Sequence, residues 1–116
     1  MDSLKRLRQV SQQRQVEWLG ATAGGLKPSL SFMGNEMAGE VGEACNVIKK
    51  IEREWMGLPG SRATNDDLAM ELADVIITVD LIAARMNIDL ETAVAMTFDR
   101  KSEAMGFKTR FYQDEK

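Results

Sequence analysis

The chain has 116 residues and no histidine, a single cysteine and two prolines. Without histidine, no serine–histidine or cysteine–histidine catalytic pair can form. Histidine-containing zinc sites and the Glu-x-x-His di-iron motif of helical bundles are excluded as well. Cys45 stands alone, so one chain forms neither a disulfide nor a multi-cysteine metal site. No apolar run approaches the ~20 residues that span a bilayer. Neither charge dominates: 15 Lys and Arg stand against 18 Asp and Glu, a net charge of −3. Stable nucleic-acid binding normally needs a basic excess and is not expected. The stretch Met1 to Val10 is charged throughout and lacks an apolar signal-peptide centre, so the expectation is a cytoplasmic protein with no membrane partner. Acid–base or metal chemistry must fall mainly to carboxylates, lysines and arginines.

What is present is helical periodicity. Ser3 to Leu19 carries Leu4, Leu7, Val10 and Trp18 as a modest apolar stripe, and Gly20, Gly24-Gly25 and Lys27-Pro28 close it. A second segment, about Ser29 to Met56, places Met33, Met37, Val41, Ala44, Ile48, Ile51 and Trp55 at three- and four-residue steps. Gly57 and Pro59-Gly60 end it. Thr64 to Asp67 caps a third helix that runs to about Met86 and is apolar nearly all round, which predicts burial. Asp89 opens a fourth helix ending near Gly106. No alternating β-branched runs occur. The reading is a single all-α domain over residues 1–106, a four-helix bundle-like fold, with an extended or partly disordered tail over 107–116. A domain this small has a limited core of its own, so self-association is expected. Trp55 lies on the apolar stripe and is expected in the core, and Cys45 is expected as a small buried residue.

The chemistry lies in the two middle helices. At about 100° per residue, Glu36, Glu40 and Glu43 share one stripe of the second helix, beside its apolar face. Asp67, Glu71 and Asp74 form a similar stripe on the third. Like charges at these spacings destabilise a helix by a few tenths of a kcal/mol per pair, and gathering two stripes costs more unless protons or cations neutralise them. Hard divalent cations suit an all-oxygen ligand set, and magnesium binds carboxylates together with substrate phosphates. Set against this, acidic residues at helical spacing are commonly a solvated face.

Glu40-Val41-Gly42-Glu43, followed by Glu71-Leu72-Ala73-Asp74, resembles the Glu-x-x-Glu … Glu-x-x-Asp signature of MazG-like nucleoside triphosphate pyrophosphohydrolases. The flanking Gly39, Ala44-Cys45-Asn46, Lys49-Lys50 and Val75 resemble the short single-domain branch of that all-α superfamily. Similarity continues through Asn87-Ile88-Asp89-Leu90 to Phe98, Ser102 and Gly106-Phe107. The resemblance implies a magnesium-dependent enzyme, with Mn2+ as a substitute. It would cleave a (deoxy)nucleoside triphosphate between the α and β phosphates in nucleotide-pool house-cleaning. It also implies a homodimer or a dimer of dimers. Glu40, Glu43, Glu71 and Asp74 would be the metal ligands, and Glu36 or Glu40 would orient or deprotonate the water. Lys50 is the first candidate to meet the phosphates, Arg53 and Arg85 follow, and Lys101 is a further candidate from the last helix. Trp18 resembles a family position near the nucleotide, and Asn46 is a candidate substrate contact. Relatives often carry Lys and Asn beside the phenylalanine matching Phe98, where this chain has Thr97 and Asp99. The competing reading is a non-catalytic helical regulatory or interaction module with a structural cation site.

Overall fold

The computed structural model describes residues 3–21, 24 and 27–113. Met1 and Asp2, Gly25 of the glycine pair and the last three residues of the tail lie outside the described residues. Four helices run in order: α1 (Ser3–Ala21), α2 (Leu30–Trp55), α3 (Asn65–Arg85) and α4 (Leu90–Ala104). The described residues form no strand. Among the described residues, no helix is long and apolar enough to cross a membrane.

Local chemistry sets the boundaries. The Ser29 side chain accepts the Phe32 amide at 3.1 Å and starts α2. Thr64 and Asp67 form a reciprocal capping box at α3: Asp67 N–H donates to Thr64 Oγ1, and Thr64 N–H donates to the Asp67 carboxylate. Asp89 accepts from the Thr92 amide and hydroxyl at α4. Gly57, at φ +69°, takes the left-handed conformation that closes α2, and the Leu58 amide bonds back to the Arg53 carbonyl. Asn87, at φ +56°, does the same for α3. Asparagine is among the non-glycine residues that tolerate this region.

The main packing is between α2 and α3. The pair is antiparallel, because Glu40 faces Asp74 and Glu71 while Lys50, farther along α2, faces Asp67. α1 lies across α3 and α4, held by one buried ion pair. Asp80 is 0 % exposed, and Arg8 reaches it at 3.1 Å and donates to the Ile88 carbonyl at 2.8 Å. Leaving such a charge unpaired costs about 3–5 kcal/mol, so the pair locks α1 against α3. Residues 107–113 are non-helical but docked on α4. The Phe111 amide donates to Asp99, Phe111 packs edge-on against Phe98, and the Tyr112 hydroxyl donates to Glu91 at 2.8 Å.

Three burial expectations are corrected. Helix α3 is not enclosed: Ile76 is 51 % exposed, and Leu72 is exposed beside it. Trp55 is 80 % exposed rather than in the core, and Cys45 is exposed as well. The reason is architectural. Among the described residues, α2 packs on one face of α3, α1 packs on another and carries α4, and the face of α3 with Leu72 and Ile76 and the outer stripe of α2 are left uncovered. Only Met33, Ala44, Val47, Ala83 and Ala95 are buried apolar residues among those described.

Candidate carboxylate site and adjoining cavity

Antiparallel packing of α2 on α3 brings the two acidic stripes face to face. Glu40, Glu43 and Glu71 each offer an oxygen within 4.8 Å of the others. Asp74 sits at the edge of this trio, close enough for its charge to act on both Glu40 and Glu71. Glu40 and Glu71 are half-buried, while Glu43 and Asp74 are exposed. One oxygen of Glu40 and one of Glu71 (Oε2 in each) are buried without a hydrogen-bond partner. Buried acceptors left unpaired are uncommon and costly. Burial, then the charges of Glu43, Asp74 and Glu36, raises the Glu40 carboxyl above its ordinary range. Burial raises Glu71 likewise, followed by the Glu43 charge, a side-chain hydrogen bond with Glu43, and the charges of Asp74 and Glu40. The donor set is all oxygen, negatively charged and incompletely satisfied. It fits a hard divalent cation.

These shifts carry a sign. A carboxyl whose folded-state pKa is raised stabilises the fold fully below its ordinary value, here 4.5, and loses that contribution as pH rises through the raised value. Metal-free protein is therefore expected to lose stability from these two groups as pH rises above about 4.5. A divalent cation favours the ionised forms, so the gain in Tm on adding Mg2+ should grow over the same rise in pH. Thermal melts with and without Mg2+ check this. A Mg2+ effect independent of pH would disconnect the cation from these carboxylates. Asp67 and Asp89, held below their ordinary values first by hydrogen bonds from Thr64 and Thr92, act oppositely and lose their contribution only as pH falls below about 3.8.

Glu36 lies one turn before Glu40 on α2 and faces a cavity of about 520 Å3. Its walls come from α1 (Gln15, Trp18, Leu19), the Lys27–Ser29 connection, α2 (Phe32, Met33) and Leu81 of α3. Trp18 and Phe32 are exposed aromatic residues on different walls of this space. Arg85 donates to the Pro28 carbonyl at 2.8 Å and pins the connection that forms one side.

The other sequence-derived candidates are spread more widely. Lys50 is half-buried and acts electrostatically on Asp67 across the hairpin. Arg53 donates to the Ser61 carbonyl at 3.3 Å and braces the α2–α3 connection. Lys101 is exposed on α4, a helix whose main helix packing is on α1. Asn46 is exposed on α2. Asp99, one of the two positions that depart from the relatives' pattern, is occupied in holding the tail. Sequence reasoning missed Gln15, Lys27 and Phe32. Periodicity assigns residues to faces of one helix, whereas this cavity exists only between helices.

The described residues form an all-helical protein whose central hairpin carries an acidic carboxylate cluster of a kind that could hold a metal ion. A family model for the MazG nucleotide pyrophosphohydrolase domain matches residues 29–103 of the 116, and the chain belongs to that family. No curated protein and no solved structure matches it. Family membership indicates nucleotide pyrophosphohydrolase activity in general, and the family generally depends on a divalent metal. The match begins at Ser29, so it covers α2, α3 and most of α4, and α1 lies outside it.

Proposed function

We propose that this protein hydrolyses (deoxy)nucleoside triphosphates between the α and β phosphates, releasing a monophosphate and pyrophosphate. Its role would be cytoplasmic nucleotide-pool house-cleaning. The observation that carries the reading is the trio Glu40, Glu43 and Glu71 beside an aromatic-walled cavity, with Glu36 between them. Glu40, Glu43, Glu71 and Asp74 would hold Mg2+, or Mn2+ in its place. Bound there, the cation supplies charge neutralisation at the phosphates and a more acidic water. Glu36 belongs to the cavity rather than the trio, and it is the carboxylate left to orient the attacking water. Trp18 and Phe32 offer stacking faces for a base. From Glu36 to Glu43 the helix rises about 10 Å, so a nucleoside in the cavity directs its phosphate chain along α2 toward the trio. Lys50, Arg53, Lys101 and Asn46 remain candidate phosphate or sugar contacts.

A second copy of the chain completes the fold in this proposal. The chain exposes 8941 Å2, about 2600 Å2 more than a compact 12.9 kDa monomer would. Its radius of gyration is 18.0 Å, where a compact chain of this length has about 13 Å. That excess is the size of surface an obligate dimer buries. The exposed stripe Val41, Cys45, Ile48 and Trp55, at coiled-coil-like spacing on α2, is the natural face for it.

The test is pyrophosphate release from a panel of ribo- and deoxyribonucleoside triphosphates with Mg2+. Pyrophosphate and the matching monophosphate in equal amounts, abolished by chelation, are expected. No pyrophosphate from any triphosphate, with Glu40→Gln indistinguishable from wild type, ends the proposal.

A further inference from the structure

The polar groups in the 520 Å3 cavity are few, and most have other work. The Ser29 hydroxyl caps α2. Glu36 adjoins the carboxylates and acts on Glu40. Lys27 is exposed on the connection. Gln15 differs from all of them. It is half-buried on α1 among Trp18, Leu19, Met33 and Leu81, and its amide makes no hydrogen bond among the described residues. It also lines a neighbouring cavity of about 200 Å3 that shares Leu19, Lys27, Met33 and Leu81 with the first. One turn earlier on the same face, Ser11 is 3 % exposed, lines that second cavity, and has a buried hydroxyl with no partner. The Ser11 hydroxyl is thus a buried unpaired group at the seam between α1 and the α2–α3 hairpin, and the half-buried Gln15 amide borders both cavities. Buried polar groups are ordinarily satisfied. A ligand with an aromatic body and a hydrogen-bonding edge would satisfy both the walls and the amide.

We propose that Gln15 is the base-reading residue of this site. Its side-chain amide presents a donor and an acceptor side by side, which matches the paired donor and acceptor on the edge of a nucleobase stacked between Trp18 and Phe32. The inference rests on the nucleotide reading of the carboxylate site and deepens it. The residue lies on α1, outside the span matched by the family, so base preference is set by a part of the chain separate from the cation ligands.

The experiment compares Gln15→Met with wild type. Methionine keeps the unbranched length and removes both hydrogen-bonding groups. kcat/KM is measured for each triphosphate, together with Mn2+ affinity as a check on the carboxylates. The ratio of best to worst base is expected to fall roughly tenfold, the effect of losing one paired edge contact, with Mn2+ affinity unchanged. Gln15→Glu, an acceptor only, should shift preference toward bases that present an amino group. An equal loss for every base, or an unchanged ratio, would show a packing role and overturn the proposal. If wild type releases no pyrophosphate at all, the enzymatic reading fails separately. Gln15 is then judged by nucleoside binding through Trp18 fluorescence in a Trp55→Phe background. Saturable binding by wild type that weakens about tenfold in Gln15→Met supports the role, and equal binding or none overturns it.

Discussion

Glu71→Gln is expected to reduce pyrophosphate release by on the order of 10²–10³-fold, the cost of removing one preorganised charge-stabilising group, while leaving the metal-free protein at least as stable as wild type. The two halves have one cause. Glu71 is half-buried, has an oxygen without a partner, and sits among the charges of Glu43, Asp74 and Glu40. A fold gains nothing from that arrangement at neutral pH. Neutral glutamine relieves the repulsion and keeps the shape. It is a poorer cation ligand, so the stabilisation by Mg2+ should shrink in parallel with activity. Thermal melts with and without Mg2+, set beside pyrophosphate assays, read both quantities. A metal-free Glu71→Gln protein that melts well below wild type would mark the residue as structural instead.

Ile48→Glu is expected to break the assembly into 12.9 kDa chains and to remove most of the cooperative thermal transition. Ile48 occupies the middle of the exposed α2 stripe between Val41 and Trp55. In a two-fold interface each substitution appears twice, so two carboxylates would enter the covered region at once. Burying an unpaired charge costs several kcal/mol, comparable with the whole stability of a small domain. Gln13→Glu, at an exposed position on α1, adds the same charge off the stripe and should leave mass and melting unchanged. Sedimentation equilibrium gives the mass. A wild-type chain that sediments as a monomer would refute the proposed dimer directly.

Helix positions and starts were largely legible because they are local. Ser29, Thr64 and Asp89 satisfy amides three residues on, and that information lies within a few residues of sequence. The acidic stripes were legible for the same reason, since helical geometry puts Glu36, Glu40 and Glu43 on one side whatever surrounds them. Burial was not legible. The apolar stripe containing Trp55 has the pattern of a core face yet is exposed, because periodicity tells which face is apolar and says nothing of what covers it. The docking of the tail on Asp99 and Phe98 was equally hidden, because residues 107–113 carry no period and their partners are distant in sequence.

By itself, the sequence determined four helices, their caps, and a chemistry restricted to oxygen ligands by the absence of histidine and by a lone cysteine. Tertiary structure alone decided that two acidic stripes meet, that Glu40 and Glu71 keep unpaired oxygens, and that Gln15, Trp18 and Phe32 share one cavity. The division has a physical reason. Capping and helical phase depend on bonds a few residues long, whereas desolvation, charge crowding and cavities depend on which surfaces pack together, and that is set by the whole chain.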